Sequence, residues 1–150
     1  MLNTKIIRKP FPLPLIHDIL QPVGAFSWAT CLDLSMGYYA MVLSELARKY
    51  CVTCLPWGLH RYNMLPMGTK VATDVLQASI STISNDLENV VVYIDDIIIL
   101  SLSSFEEHVQ IVSEVLRLLE YKGMQVNPLK SFWAQDSVKY LGFVITRDGV

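Results

Sequence analysis

The sequence lacks the features that would place it in a membrane or outside the cell. It has no run of about 20 apolar residues, the length that a membrane-spanning helix requires, because Asp95 and Asp96 interrupt the longest apolar stretch. Three of the 150 residues are cysteines and no secretory signal precedes them, which predicts a reducing, intracellular location without a membrane partner. Cys51-Val-Thr-Cys54 is a single CxxC motif without a second pair, so a strand of small apolar residues explains it better than zinc.

Positive charge is also in short supply. The net charge of −2 excludes a chain that binds nucleic acid through polybasic character alone. Residues 86–120 hold eight acids and the single base Arg117, while the other bases lie outside this segment, with clusters at the start and near the end of the chain. An ordinary mixed surface accounts for this distribution, and so does a metal site beside a path for phosphates. The Asp-Ser/Thr-Gly motif is absent, which argues against an aspartic protease.

Hydrophobic residues are abundant, at 52% of the sequence, which is enough for one globular domain with a buried core. Strand-like and helix-like periodicities follow one another along the chain. The predicted strands are 26–34, 51–55, 60–64, one on each side of Asp95-Asp96, and short strands within 131–146. The predicted helices are 15–20, 44–50, 69–83, and one from the capping box Ser104-Phe-Glu-Glu107 to Gly123. This order predicts an α+β fold, an antiparallel sheet with helices packed on one face.

The stretch Asn89-Val-Val-Val-Tyr-Ile-Asp-Asp-Ile-Ile-Ile-Leu-Ser101 places two adjacent acids among β-branched residues. The β-branched residues predict a buried hairpin, and Asp95-Asp96 fits its solvated turn. Yet Tyr93-Ile-Asp-Asp96 contains neither the glycine nor the asparagine that tight hairpin turns favour. Two neighbouring carboxylates repel each other, and a hard divalent cation such as Mg²⁺ or Mn²⁺ removes that repulsion. The local sequence leaves both interpretations open, a solvated turn and a metal site.

A third acid, Asp33, ends the apolar strand Thr30-Cys-Leu-Asp-Leu34, and a turn follows it. If this strand lies beside the Asp95-Asp96 hairpin, three carboxylates meet at one edge of the sheet. Such a set is what a two-metal phosphoryl-transfer site requires, where the ions lie about 3.5–4 Å apart and bind the attacking and leaving oxygens.

Nearly the whole chain carries short blocks that resemble, in the same order, the polymerase palm of reverse transcriptases, most closely those of gypsy-type LTR retrotransposons. The blocks are Arg8-Lys-Pro-Phe-Pro-Leu-Pro14, Leu32-Asp-Leu-Ser-Met-Gly-Tyr-Tyr39, Leu55-Pro-Trp-Gly-Leu59, Leu65-Pro-Met-Gly68, Gln77, Tyr93-Ile-Asp-Asp96, Gly123-Met-Gln-Val-Asn-Pro-Leu-Lys130, and Tyr140-Leu-Gly-Phe143 leading to Thr146-Arg-Asp-Gly149. One Tyr-x-Asp-Asp motif would be weak evidence, whereas this many blocks in register are specific.

The resemblance implies an RNA-directed DNA polymerase that extends a primer 3′-OH with dNTPs on an RNA or DNA template, using two Mg²⁺ or Mn²⁺ ions. It implies that residues 1–150 are one reverse transcriptase domain, a palm core with partial fingers. The upstream fingers strands, the thumb and RNase H would then be further segments of a polyprotein. A retroelement enzyme of this kind is expected in cytoplasmic virus-like particles or in the nucleus.

The resemblance also implies the catalytic and metal-binding residues. Asp33 and Asp95 would hold both metal ions, Asp96 would support them, and the Leu34 carbonyl would be a further ligand. Lys130 matches a lysine near the leaving pyrophosphate and is a candidate general acid; a solvated surface lysine is the alternative.

Two further groups of residues follow from the same resemblance. In the nucleotide pocket, Tyr38 would exclude a sugar 2′-OH and Gly37 would let the backbone approach the triphosphate, with Met67 and Gly68 as lining. Gln77 would approach the template, and Tyr93 would pack near the primer terminus. Leu141 and Gly142 would belong to the hairpin that grips the primer through its backbone.

The chain departs from the family pattern after Leu65-Pro-Met-Gly68. Thr73 stands where a proline is usual and Leu76 where an aromatic residue is usual, which predicts a looser start of the pocket helix. A catalytically inactive remnant that folds without polymerising is therefore the alternative function. An RNA-templated RNA polymerase is a further alternative, although such enzymes usually carry Gly-Asp-Asp in place of Tyr-Ile-Asp-Asp.

Overall fold

The computed structural model describes residues 2–20, 26–88 and 90–147, so Asn89 and the final part of the Thr146–Gly149 block lie outside the described residues. The helices are α1 (Ile16–Leu20), α2 (Glu45–Tyr50), α3 (Ala72–Asp86) and α4 (Phe105–Tyr121). The strands are β1 (Trp28–Ser35), β2 (Val52–Leu55), β3 (Gly58–Arg61), β4 (Val90–Tyr93), β5 (Asp96–Ser101), β6 (Gln125–Val126), β7 (Phe132–Gln135), β8 (Ser137–Tyr140) and β9 (Phe143–Thr146).

The central sheet has the strand order β4-β5-β1-β6, and β7 also pairs with β1. All of its pairings are antiparallel, as the sequence predicts. Two separate hairpins, β2-β3 and β8-β9, flank it. The longest contact runs between β1 and β5, where six residue pairs align from Trp28 opposite Ser101 to Asp33 opposite Asp96.

Alternating side chains of β1 and β5 supply two hydrophobic cores on opposite faces of the sheet. On one face, Leu32, Ile97 and Ile99 pack with side chains of α3 and α4. On the other, Cys31 and Ile98 pack with α1 and the β8-β9 hairpin. The predicted helices on one face are therefore α3 and α4. Burial of each such Ile or Leu side chain stabilises the fold by roughly 1.5–3 kcal/mol. The two cores therefore fix β1 and β5, and with them the ends of these strands.

Helix α4 begins and ends where the sequence predicts. The Ser104 side chain accepts a hydrogen bond from the Glu107 N–H at 3.3 Å, and Gly123 follows with a φ of 71°, the left-handed backbone that glycine permits. The helical spacing predicts Val109 as a core residue, and this prediction is wrong, because Val109 is 43% exposed. The inward position at that end is taken by His108, which is 1% exposed.

The predicted strand 60–64 is shifted, since β3 spans Gly58–Arg61. Pro56 and Trp57 form a two-residue turn, and Gly58 has a φ of 136° that side chains rarely adopt. Pairing therefore starts at Gly58, and Met64 instead makes an isolated bridge with Val42. None of the helices within the described ranges is long and apolar enough to cross a membrane.

The start of α3 is fixed without the proline that is usual in the family. The Asp74 carboxylate, which is 4% exposed, binds Arg8 through two contacts of 2.7 and 3.0 Å and accepts the Phe11 N–H at 3.0 Å. Leu76 is fully buried at the family's aromatic position. The helix begins at Ala72, so the departures at Thr73 and Leu76 leave the helix intact.

Candidate active site

Three acids come together at the end of the β1-β5 ladder. Asp33 of β1 lies directly opposite Asp96 of β5, and Asp96 in turn pairs with Tyr93 of β4. Ile94 and Asp95 are therefore the two central residues of a tight turn. The Asp95 carbonyl accepts the Leu34 N–H at 3.0 Å, which ties this turn to β1. Residues 62 positions apart in sequence thus meet because the ladder register brings them together.

The electrostatics of the site differ from those of an ordinary solvated turn. Burial raises the pKa of Asp95, and the charges of Asp96 and then Asp33 raise it further. Burial and then the charge of Asp33 raise the pKa of Asp96 in the same way. The protein therefore holds mutually repelling carboxylates that cost free energy when all are ionised. Of the two interpretations left open by the sequence, a turn alone explains neither this burial nor this clustering.

Asp95 has one oxygen in an unusual position. Its Oδ1 is buried and is the one buried side-chain N or O atom, among those of the described residues, that lacks a hydrogen-bond partner. A Cβ added to Gly37 would lie 2.9 Å from this oxygen, closer than such contacts occur. A side chain at position 37 would therefore make the Asp95 carboxylate shift, a reason for glycine separate from the predicted approach to a triphosphate.

The segment after β6 fixes the backbone of Asp33. The Asp33 N–H donates to Ser131 Oγ at 3.1 Å, and the Asp33 carbonyl accepts the Asn127 N–H at 2.8 Å. Asn127 also closes its own turn, accepting the Leu129 N–H through Oδ1 at 3.1 Å, as asparagine does in turns. This turn brings Lys130 Nζ to 3.9 Å from Asp33 Oδ1. Lys130 is 68% exposed, so its cation reaches the site from solvent.

The carboxylates fit a divalent cation by their chemistry. Hard oxygen donors suit Mg²⁺ and Mn²⁺, and an ion would offset both the repulsion and the unpaired Asp95 Oδ1. Within the described ranges, however, no three His, Cys, Asp or Glu side chains stand close enough to hold one ion. A shared ion therefore requires the three carboxylates to draw closer together than they stand.

The predicted nucleotide-pocket residues fall into two groups. Gly37 touches the acid cluster, and Tyr38, next to it, packs against the helix-side core. Met67 and Gly68 lie on an exposed loop, where Asn3 Nδ2 donates to the Gly68 carbonyl at 2.8 Å. Asn3 Oδ1 also accepts the Lys70 N–H at 2.9 Å, so this loop is joined to the N-terminal segment.

The predicted template and primer residues are placed as follows. Gln77 is 2% exposed, and its amide is bonded within the chain to the Ile94 N–H and the Val92 carbonyl. Its predicted approach to a template stays a prediction. Tyr93 lies opposite Asp96. Leu141 and Gly142 form the β8-β9 turn with φ values of 50° and 87°.

Sequence reasoning missed two residues that support the site. Tyr140, next to the predicted primer hairpin, is 3% exposed, and its hydroxyl donates to the Asp96 carbonyl at 3.4 Å. Burial and then the charge of Asp96 raise the pKa of the Tyr140 phenol. Ser131 was missed as the partner of Asp33. The only signal in the sequence was position, since Tyr140 begins one recognised block and Ser131 directly follows another.

Comparison with known proteins agrees with this geometry. Residues 2–145 match the family model described as "Reverse transcriptase (RNA-dependent DNA polymerase)". The chain belongs to the reverse transcriptase family. It is 32% identical over 150 residues to the retrovirus-related Pol polyprotein of transposon gypsy from Drosophila melanogaster, covering 99% of this chain and 14% of that polyprotein. It is 31% identical over 150 residues to the enzymatic polyprotein of soybean chlorotic mottle virus, covering 99% and 22%.

Solved reverse transcriptases share the fold. A foamy viral protease-reverse transcriptase in complex with an RNA/DNA hybrid superposes with a TM-score of 0.90 at 23% identity, covering 97% of this chain and 20% of that one. A mutant of the prototype foamy virus protease-reverse transcriptase gives 0.86 at 28% identity, covering 99% and 20%. The predicted family and the predicted palm fold are both confirmed. The chain spans about a seventh of the gypsy polyprotein and about a fifth of these viral enzymes.

Proposed function

We propose that the chain carries the catalytic centre of an RNA-directed DNA polymerase, which transfers a nucleotide from a dNTP to a primer 3′-OH. The observation that carries the proposal is the meeting of Asp33, Asp95 and Asp96 at one sheet end. Membership of the reverse transcriptase family supports it. The template is RNA or DNA, and the site of action is the cytoplasm, within a virus-like particle, or the nucleus.

Two Mg²⁺ or Mn²⁺ ions would supply charge neutralisation for the phosphoryl group and the leaving oxygen. Asp33 and Asp95 are the side chains to hold them, with Asp96 and the Leu34 carbonyl in support. The chain's own contribution is position. Asp33 is held at both backbone polar groups by Ser131 and Asn127, and phosphoryl transfer depends mainly on positioning and electrostatics.

Lys130 is the group proposed to deliver a proton to the departing pyrophosphate. Its ammonium lies 3.9 Å from Asp33 Oδ1 and is open to solvent, so a triphosphate at the carboxylates would lie within its reach. The ion pair with Asp33 directs the lysine towards the site before substrate binds.

Selection of deoxynucleotides is assigned to Tyr38. Gly37, the residue before it, lies so close to the Asp95 carboxylate that an added Cβ would be 2.9 Å from Asp95 Oδ1. Tyr38 is therefore next in sequence to a residue that borders the acid cluster. A ring at this position excludes a 2′-OH by steric rejection. Met67, Gly68, Gln77, Tyr93, Leu141 and Gly142 keep the pocket, template and primer roles that family resemblance gives them.

The test is primer extension on a primed RNA template with dNTPs and Mg²⁺ or Mn²⁺, alongside thermal unfolding with and without Mn²⁺. The proposal expects extension that Asp33→Asn and Asp95→Asn abolish, together with a rise in Tm on adding Mn²⁺ that both variants lose. Asp136→Asn, an exposed aspartate between β7 and β8, is the matched control and keeps both properties.

Two results would contradict the proposal. No extension even when fingers and thumb segments are supplied, together with no Mn²⁺-dependent rise in Tm, would assign the chain to the alternative, an inactive remnant that folds without polymerising. Preference for NTPs over dNTPs would favour the RNA polymerase alternative and would remove the role of Tyr38.

A further inference from the structure

The turn that carries Asp95 has a backbone conformation that its sequence does not favour. Tyr93 pairs with Asp96, so Ile94 is the first central residue of a two-residue hairpin turn. Its φ is 55°. Hairpin turns with a positive φ at this position normally use glycine there. A β-branched residue with positive φ is a genuine outlier, and such strain costs of the order of 1–3 kcal/mol when nothing stabilises it.

One side chain accounts for the conformation. Gln77 Oε1 accepts the Ile94 N–H at 2.6 Å, and Gln77 Nε2 donates to the Val92 carbonyl at 3.2 Å. The amide therefore bonds the backbone on both sides of Tyr93. It does so from α3, a helix that packs on β4 and whose Leu76 and Ile80 are fully buried. A buried amide with both ends bonded is a rigid clamp.

We propose that Gln77 is a positioning residue for the carboxylates: it holds Ile94 in its left-handed conformation and thereby sets where Asp95 and Asp96 stand relative to Asp33. This inference rests on the proposed function. It gives Gln77 a role in the interior of the protein, distinct from contact with a template. Ile94 and Asp95 are adjacent, so relaxing Ile94 to negative φ would move the Asp95 carboxylate from its position beside Gly37.

The roles of Gln77 and Ile94 should be energetically coupled. If Gln77 acts by stabilising the strained backbone conformation of Ile94, then replacing Gln77 should have a smaller effect once that strain is removed. Ile94→Gly removes it, since glycine adopts positive φ without steric cost. Gln77→Leu keeps the size of the side chain and removes both hydrogen bonds. The two substitutions together form a double-mutant cycle, and contacting residues typically couple in such cycles.

The experiment measures Mn²⁺ affinity by electron paramagnetic resonance for the parent, both single variants and the double variant. We expect Gln77→Leu to weaken binding roughly 10-fold when Ile94 is present and no more than about 3-fold when glycine replaces it. Hydrogen exchange of the Ile94 amide is a second readout, and it should accelerate in Gln77→Leu. Ile80→Val, a buried substitution one turn along α3, is the control: it lowers Tm but leaves both the affinity and the exchange unchanged.

The outcomes separate the two proposals. Equal losses of affinity with Ile94 and with glycine, or an unchanged Ile94 exchange rate, would overturn the role of Gln77 while the polymerase proposal stands. Loss of affinity in Ile80→Val to the same extent would overturn it too, because general loosening of α3 would then explain the effect. Failure of the parent to bind Mn²⁺ would overturn the proposed function itself, and the positioning role with it.

Discussion

Two carboxylates, the buried Asp74 and the partly buried Asp95, are treated in opposite ways by this fold. Asp74 is bonded by the Arg8 guanidinium and the Phe11 N–H. The hydrogen bond from Arg8 is the largest influence on the pKa of Asp74 and lowers it. Burial raises this pKa in part, and the hydrogen bond from Phe11 lowers it further. Asp95 has a buried oxygen without a partner, and burial with two neighbouring acids raises its pKa.

The paired carboxylate stabilises the fold, whereas the unpaired one marks a place built for function. A paired carboxylate fastens the N-terminal segment to α3. An unpaired one costs stability, and a fold keeps that cost where a ligand removes it.

The largest loss of stability is expected for Asp74→Asn. The amide cannot accept both Arg8 contacts as an ionised carboxylate does, so Arg8 and the N-terminal segment lose their anchor. Urea unfolding should give a lower free energy of unfolding, while Mn²⁺ affinity stays that of the parent. Asp136→Asn is the matched exposed control. If the two variants unfold at the same urea concentration, Asp74 is not the anchor described.

Gly37→Ala should damage both stability and the site. The new Cβ would lie 2.9 Å from Asp95 Oδ1, and overpacking of this kind costs about 1–3 kcal/mol. The same displacement should weaken Mn²⁺ binding, measured by calorimetric titration. Gly123→Ala is a useful comparison, because it strains a left-handed backbone with nothing within 4 Å of its added Cβ. It should lower stability alone. Unaltered Mn²⁺ binding in Gly37→Ala would break the link between this glycine and Asp95.

Without metal, Asp95→Asn should raise the stability of the fold, whereas Asp74→Asn should lower it. Asp95→Asn removes a repelling charge, so without metal the Tm should rise by roughly 2–4 °C, the shift that about 1 kcal/mol produces in a domain of this size. With Mn²⁺ the order reverses, because the parent gains ligand stabilisation that the variant lacks. Differential scanning calorimetry with and without Mn²⁺ measures both. A lower Tm in the metal-free variant would mean that Asp95 is structurally paired.

The smallest effect concerns His108, which resembles Asp74 in being buried with partners. Its ring nitrogens lie 2.8 Å from Thr30 Oγ1 and 2.7 Å from Ser101 Oγ, and burial lowers its pKa from about 6.5. The unfolded chain therefore takes up the proton first as pH falls. The stability that the neutral, buried His108 contributes is fully present above about pH 6.5. It is lost as the pH falls towards the pKa of His108 in the folded protein.

Tm measured between pH 7.5 and 5.5 should fall by no more than roughly 2–4 °C from this source. His108→Phe, which cannot titrate, should remove that part of the slope although it also lowers Tm at every pH. An identical slope in parent and variant would show that other groups govern stability in this range.

The sequence predicts the chain's regular elements well and its site supports poorly. Periodicity and blocks place α4, the Asp95-Asp96 hairpin and Asp33, since those signals are local or depend on the family order. It does not predict that Gln77 binds the Ile94 backbone, that Ser131 binds Asp33, or that Asp74 binds Arg8, because each contact joins residues between 17 and 98 positions apart. The predictions for Val109 and for the 60–64 strand are wrong for a similar reason. Burial and strand pairing depend on neighbours in space, which the periodicity of the sequence does not specify.

The central claim is that Asp33, Asp95 and Asp96 share divalent cations at the end of the β1-β5 ladder. The most direct measurement is anomalous X-ray scattering from crystals of this chain grown with Mn²⁺. We expect anomalous density between the Asp33 and Asp95 carboxylates, and its loss in Asp33→Asn crystals. Density elsewhere on the surface, or none while these carboxylates remain apart, would contradict it.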